Sequence, residues 1–424
     1  MQILFIHQNF PGQFSHLAAA LAADPLNVVI AFTMQKDPPA EWKGVRQIAY
    51  FPKRGPSPSV HPWARDAETK IICGEACLRA AMELKETGFR PDVIIAHPGM
   101  GESLFIKEVW PEAKLGVYCD FFHHAEGDEH GFDPEFPRTS IDDGCRQSLK
   151  NLNNLLHMEI ADAGISPTHY QANTYPEPFR SKILVSNLGI DTELVAPNPN
   201  IRLNYKGKVE LHRGDEVITF VNRNLEPFRG YHIFMRALPQ LLKRRPHAHI
   251  LLVGADDVSY GARSVDGKKW KDIFADEVRP QIEDADWERV HFLGNIPSRE
   301  FIQMLQMSTV HVYLTYPYVL SWSLIEAMSA GCTIVASNTA PLLEVIKHDE
   351  TGRLVDFFDV DGLAQEVCAL LDDPEARARL SANARAFVQE NFDLKTICLP
   401  QQLAWVQALS GIEMISPEEM LLSI

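Results

Sequence analysis

The sequence predicts an α/β protein built from two Rossmann-like units. Apolar runs of strand length alternate with longer segments of helical period, as in parallel sheets with crossover helices. The alternation lapses once, from Ala196 to Asp215, and then resumes. A length of 424 residues with 46% apolar content is enough for two substantial cores. The expected division is 1–195 for the first unit, 196–214 for a linker, 215–390 for the second unit, and 391–424 for a helical segment crossing back to the first.

In the first unit, "QILFIHQ" reads as a strand and "GQFSHLAAALAAD" as the helix behind it. "NVVIAFT" is the next strand, followed by a long helix over Cys73 to Glu86. "PDVIIAH" is a strand ending at His97, "ESLFIKEVW" a helix, and "KLGVYCDFF" a strand ending near His123. A helix over 144–163, "AGISPT" and "KILVSNLGID" complete the unit. The stretch "APNPNIRLNYKGKVELHRGD" is rich in Pro, Asn and charge and reads as a linker.

The second unit opens with the strand "VITFVNR" and the helix "YHIFMRALPQLLKRR". Strands "AHILLVG" and "VHFLGNI", helix "REFIQMLQMS", strand "VHVYLTY", helix "SLIEAMSAG", strands "TIVASN" and "GRLVDFF" and helix "VDGLAQEVCALL" follow. The stretch 375–409 is helical. Two open α/β sheets place chemistry at the carboxyl ends of their strands, in a cleft between the units.

A formal net charge of −16 argues against a nucleic-acid binder held by phosphate contacts. An anionic ligand must therefore be gripped by local arginines. Seven dispersed cysteines without a CxxC pair fit a reducing cytoplasm better than a disulfide framework or zinc ribbon. The chain starts on a buried strand with no basic leader, and no apolar run approaches the roughly 20 residues of a membrane span.

The strongest local signal is "FVNRNLEPFRGYHIFMRALP". A strand ends at Asn222, and Arg223 and Arg229 lie on the loop leading through Gly230 into a helix. Guanidinium groups beside a helix N-terminus suit a diphosphate, and two solvated surface arginines are the alternative. Gly12, in "HQNFPGQF", lets backbone approach a ligand or simply makes a turn. In "SWSLIEAMSAG", Ser323 and Glu326 have the spacing of a capping box. Asp359 and Asp361 mimic a metal-binding DxD pair, but their place between strand and helix favours an N-cap.

The polar cluster "CDFFHHAEGDEHGFDPEF" holds Asp120, His123, His124, Glu126, Asp128, Glu129 and His130. It reads as a metal site, a solvated loop or a catalytic loop. His97 lies at the end of another strand on the same side, where a neutral imidazole can exchange hydrogen bonds with a ligand.

Taken with "LLVGAD", "HFLGNIPSREFIQMLQMSTVHVYLT", "APLLEVI" and "TGRLV", the second unit resembles the donor-binding domain of glycosyltransferase family 4, retaining enzymes of the GT-B fold. "ILFIHQNFPGQFSHLA" and "SNLGIDTELVAP" resemble its acceptor domain more loosely. The resemblance implies two Rossmann-like domains facing each other across a cleft, and transfer of a sugar from a nucleotide diphosphate, UDP- or GDP-linked, to a hydroxyl with retention. The acceptor is a glycan, a lipid-linked molecule or a small molecule; no cofactor and no metal are implied, and membrane contact is left open.

Arg223 and Arg229 match the family's diphosphate contacts, and Gly12, Asn222, Gly254, Asn295, Ile296, Ser323 and Leu324 fall on its donor-binding segments. Glu326 matches the acid on the nucleotide ribose, while Tyr318 stands where many members carry a second acid near the donor sugar. His123 or His124, or His97, falls where the family has a His near the anomeric carbon. A nucleotide-sugar 2-epimerase and a non-catalytic binding relative are the alternatives on this fold.

Overall fold

The computed structural model describes residues 1–124, 129, 131–137, 140–205, 209–212 and 214–411. They divide into two compact units, one made of Met1–Leu188 with the chain from Lys395 on, the other of Gly189–Leu394.

The first unit is an eight-stranded sheet in the order β3-β4-β2-β1-β5-β6-β7-β8. Its strands are β1 (Gln2–Ile6), β2 (Val28–Thr33), β3 (Glu41–Trp42), β4 (Val45–Ala49), β5 (Val93–Ala96), β6 (Lys114–Tyr118), β7 (Ala163–Ser166) and β8 (Ile183–Val185). Only the β3–β4 pair is antiparallel. The runs "LFI" and "VIIA" are buried on both faces, as a sheet covered by helices on each side requires. One face packs on helix Arg65–Glu86 through Cys77, Ala81 and Leu84. The other packs on Ser15–Ala23 and on the returning helix Leu399–Ser410, whose Trp405 lies over β6 where Gly116 leaves room. The expected return of the C-terminal segment is thus a contact made by Trp405, Val406 and Leu409.

The second unit begins with an antiparallel hairpin, β9 (Arg202–Tyr205) with β10 (Val209–His212). This corrects the linker expected over 196–214. Ile201, Leu203 and Leu211 are buried in the second core, while Arg202, Asn204, Glu210 and His212 point to solvent. The Pro, Asn and charges that suggested a linker include the exposed alternate face of a two-sided ribbon. The boundaries move accordingly, from 195 to 188 and from 390 to 394. A bridge between Ile190 and Asp393, and a 2.6 Å bond from Thr192 Oγ1 to Asp393, join the two ends of this unit.

Its six-stranded parallel sheet runs β13-β12-β11-β14-β15-β16. These are β11 (Val217–Asn224), β12 (His249–Ala255), β13 (Val290–Gly294), β14 (Val310–Tyr313), β15 (Thr333–Ser337) and β16 (Arg353–Val355). Phe220 of β11 stacks on Phe234 of helix Tyr231–Arg244 at 4.5 Å, fixing that helix behind the central strand. Asp359 caps helix Val360–Asp372 by accepting from Gly362 N, as its position predicted. Two helical expectations were too long or too short: "ESLFIKEVW" yields only Ile106–Val109, and the helix expected from Cys73 starts at Arg65. Among the described residues, no helix is long and apolar enough to cross a membrane.

Candidate functional site

In the second unit the predicted donor residues gather at the carboxyl ends of β11, β12, β13 and β14. Asn222 and Arg223 close β11, Gly254 lies near the end of β12, Asn295 and Ile296 follow β13, and Tyr318 follows β14. Asn295 is exposed, whereas the Ile296 side chain packs against the core.

The two arginines are not equivalent. Arg223 is exposed, but Arg229 is 4% exposed and donates through Nη1 to Thr315 Oγ1 at 2.7 Å, Val319 O at 3.0 Å and Tyr313 OH at 3.4 Å. Its guanidinium lies over the rings of Tyr260 and Tyr318, at 4.8 and 5.9 Å. Phe228 packs against Tyr260, Tyr316 and Tyr318 and completes an aromatic surround. Arg229 therefore ties the loop after β11 to the loop after β14. Tyr318 is part of that surround, which gives the departure from the family acid a structural setting.

The Tyr313 hydroxyl also accepts from Ser321 N at 3.1 Å, which extends the network to the start of the helix carrying Glu326. That helix is Trp322–Ser329, and its cap is Ser321, which accepts from Ser323 N. The capping box expected at Ser323 and Glu326 is thus corrected. The helix starts earlier, and Ser323 is a first-turn residue whose hydroxyl lies 2.9 Å from that of Ser321. The Glu326 carboxyl is partly buried, and burial pushes its pKa up to about 7. Leu324, another predicted donor residue, puts its side chain fully into the core. Only its backbone can face a ligand.

Glu226 went unnoticed in the sequence although it lies between the two arginines. It is fully buried, and its carboxylate accepts from Ser259 N (2.9 Å), Tyr260 N (3.2 Å) and Gly261 N (3.0 Å). Burial raises its pKa while these N–H groups oppose the shift. Asn224 reinforces the same clasp by accepting from Asp257 N and donating to Ser259 Oγ. The loops after β11 and β12 are thereby locked together.

Gly230 closes this corner at φ 71°, and a Cβ there would lie 2.3 Å from Leu314 Cβ. Gly230→Ala is expected to cost about 2–4 kcal/mol, from the left-handed conformation and overpacking together. Thermal unfolding should show a clear drop in Tm; an unchanged Tm would contradict this placement.

In the first unit His7, His97 and His123 follow β1, β5 and β6. His97 stacks on Tyr118 at 5.5 Å and meets His7 edge-on at 5.0 Å. Its Nδ1 accepts from Gly99 N at 3.2 Å, so the neutral ring carries its proton on Nε2. Burial holds its pKa down at about 3. Gly12 adopts φ 48° directly over His7, whose Nε2 donates to Gln13 Oε1 at 2.6 Å.

His123 is fixed by Asn151, which accepts from its backbone N, and its Nδ1 lies 3.4 Å from the buried Glu129 carboxylate. His124 is more exposed and its Nε2 bonds Thr174 O at 2.8 Å, so the two adjacent histidines have different settings. Glu126, Asp128 and His130 lie outside the described residues.

Two family models tile the chain: residues 26–195 match the glycosyl transferase family 4 group and residues 202–387 match glycosyl transferases group 1. A phosphatidyl-myo-inositol mannosyltransferase from Mycolicibacterium smegmatis is 31% identical over 41% of this chain and 40% of its own length. A D-inositol 3-phosphate glycosyltransferase from Corynebacterium efficiens is 26% identical over 59% of this chain and 56% of its own. These two alignments thus span about half the length of the relatives. A glycogen synthase from Mycobacterium tuberculosis is 24% identical over 97% of this chain and 96% of its own. Among solved structures, sucrose-phosphate synthase from Thermosynechococcus elongatus superposes with a TM-score of 0.71 at 18% identity, covering 97% of this chain and 100% of that one. The Anabaena HepE protein in complex with UDP and glucose gives 0.65 at 18% identity, covering 97% and 100%.

The fold is GT-B, with two parallel-sheet α/β domains. The chain belongs to glycosyltransferase family 4.

Proposed function

We propose that this protein transfers a hexosyl group from a nucleoside diphosphate sugar to an acceptor hydroxyl, with retention of configuration and without a metal ion. The observation that supports it best is the placement of Asn222, Arg223 and Gly254 at strand ends, and of Ser323 and Glu326 on the helix that follows β14, at the carboxyl edge of one sheet. Such an edge offers a cation and free N–H groups to a diphosphate and a carboxylate to a ribose.

In this reading Arg223 meets the diphosphate, and its charge stabilises the leaving group as the glycosidic bond breaks. Arg229 acts by positioning, since it holds the loops around Arg223 and the start of the Glu326 helix. Glu326 accepts the ribose hydroxyls, whose donation draws its carboxyl back toward the ionised form. His97 stays neutral and presents an N–H donor. UDP- or GDP-sugars are the expected donors, in keeping with the UDP-bound HepE structure and a GDP-mannose-dependent mannosyltransferase relative.

A thermal-shift panel of UDP, GDP, ADP and dTDP sugars tests the donor and should single out one base. Arg223→Ala should weaken donor binding about 10- to 100-fold, the worth of one charge-assisted contact to phosphate, without lowering Tm in the absence of donor. Unchanged binding and turnover in Arg223→Ala would refute the clamp. Incubation with donor alone separates transfer from 2-epimerisation, because only the epimerase yields a new sugar without an acceptor.

A further inference from the structure

The helix Ile141–Ile160 of the first unit is built inside out. Its buried positions are polar: Gln147, Asn151, Asn153 and His157 turn inward, with only Met158 as an apolar companion. Each of the four has a partner within the unit. Gln147 Nε2 donates to Glu129 at 3.2 Å, Asn151 accepts from His123 N at 2.9 Å, Asn153 Nδ2 donates to Pro98 O at 2.6 Å, and His157 Nε2 lies 2.8 Å from Ser103 Oγ. These bonds fix which side of the helix faces in.

The leucines are left on the other side. Leu152, Leu155 and Leu156 are 41%, 38% and 54% exposed, and Ile141 is more exposed still. At about 100° per residue, positions 141, 145, 148, 149, 152, 155, 156 and 159 fall within an arc of about 120° centred on Leu152. The neighbouring helix Arg65–Glu86 turns Ile71 and Met82 outward as well and widens the apolar surface. Amides buried while leucines face water mark a surface that another apolar surface covers.

The arc complements itself in reverse. Two copies of the helix laid antiparallel about Leu152 set positions equally far from it opposite each other. Ser148, a small residue of the arc, then faces Leu156 of the second copy, Leu149 faces Leu155, and Cys145 faces Glu159.

Charge follows the same sense. The first turn carries Asp142 and Asp143 against one arginine, Arg146, which pairs with Asp143, so that end keeps a net negative charge. The last turn is bordered by Lys182, which donates to Met158 O and Ala161 O, and by Lys107 and Lys114, which share Asp162. Three lysines against Asp162 and Glu159 leave that end net positive. Antiparallel pairing lays the acidic end of one helix over the lysine-rich end of the other, whereas parallel pairing sets like charges together. The acids Asp142, Asp143 and Glu159 on this surface also oppose an anionic bilayer.

We propose that the outward face of helix Ile141–Ile160 is the interface of a homodimer in which two such helices pack antiparallel about a twofold axis at Leu152. The pairing steadies a helix whose inner side holds the loops after β5 and β6. It stands or falls independently of the donor assignment.

Sedimentation velocity on the full chain over a range of concentrations tests the pairing. The wild type should sediment as a dimer at micromolar concentration. Leu152→Glu and Leu156→Glu should each weaken self-association about 100-fold, because the twofold axis removes each leucine twice and brings in two carboxylates. Both positions face solvent in the single chain, so the circular dichroism spectrum should be unchanged, which separates lost pairing from lost fold.

Cross-linking reads the direction. With diamide as oxidant, Glu159→Cys should form a disulfide to Cys145 of the second copy, and adding Cys145→Ser should abolish it; the remaining cysteines are buried. In the wild type the two Cys145 thiols lie about 20 Å apart along the antiparallel pair, at 1.5 Å per residue, and should not cross-link. A monomeric wild type, including one that binds phosphatidylglycerol vesicles instead, would overturn the proposal. So would a dimer that survives Leu152→Glu and Leu156→Glu, one that cross-links through Cys145 without Glu159→Cys, or one that fails to cross-link with it.

Discussion

Arg229→Ala is expected to lower the stability of the second unit by about 3–5 kcal/mol, while Arg223→Ala leaves it within about 0.5 kcal/mol. Truncating Arg229 strips a common donor from Thr315 Oγ1, Val319 O and Tyr313 OH and opens a void among Phe228, Tyr260 and Tyr318. Each buried acceptor left unpaired costs about 1–3 kcal/mol, although Tyr313 keeps its bond from Ser321 N. For a unit of this size the loss corresponds to a Tm lower by about 10 °C.

Arg229→Lys should recover only part of this, because an ammonium is a compact point charge and lacks the planar fork that reaches several acceptors. Scanning calorimetry of the three variants decides the matter. If Arg229→Ala melts like the wild type, or Arg223→Ala loses as much, the division into a scaffold arginine and a ligand arginine is wrong. The two substitutions should also part kinetically. Arg223→Ala weakens donor binding in a folded protein, whereas Arg229→Ala loses activity along with the order of the loop leading to Ser321.

The sheets were legible in the sequence for a plain physical reason. Strands such as "QILFI" and "VIIA" are buried on both faces and read as unbroken apolar runs, and the helices between them have their own period. The hairpin was not legible, because only Ile201, Leu203 and Leu211 mark its buried side amid polar residues. The arginine loop was found by its charges, but charge says nothing about burial. What sorts Arg229 from Arg223 is a set of acceptors more than 80 positions away, which only folding brings near.

The error at Ser323 had a local cause. Ser321 and Ser323 are both credible caps, and the Glu three places after Ser323 favoured the wrong one. The first backbone turn chose Ser321. Glu102, Asn153 and Glu226 carried no signal, since an isolated acid or amide reads as solvated until its burial is known.

Acidification should destabilise the protein through histidines buried in neutral form, and His157 and His311 isolate the effect in one unit each. His157 is 1% exposed, donates through Nδ1 to Asn153 O and accepts from Ser103 Oγ through Nε2. His311 is fully buried, with Nδ1 2.8 Å from Thr219 Oγ1. Burial lowers their pKa from 6.5 to about 4 and about 3.

The folded pKa lies below the unfolded one, so between these values the unfolded chain binds the proton and the native state refuses it. Each histidine's contribution is complete above about pH 6.5 and drains away as pH falls to the folded value. By about pH 5 each has lost about 2 kcal/mol. Glu102 and Glu326 act in the opposite sense. Both carry a raised folded pKa of about 7, and the penalty for burying their charge fades as pH falls from there toward 4.5.

The net slope mixes both signs, so the difference between wild type and a single variant is the informative quantity. His157→Gln and His311→Gln should each be less stable than wild type at about pH 7.5, having lost a buried hydrogen bond. That gap should narrow by about 2 kcal/mol on going to about pH 5, because the wild type alone carries the titrating ring. Urea unfolding at both pH values measures it. A gap that stays constant would mean that these imidazoles are protonated, or reached by solvent, in the native state.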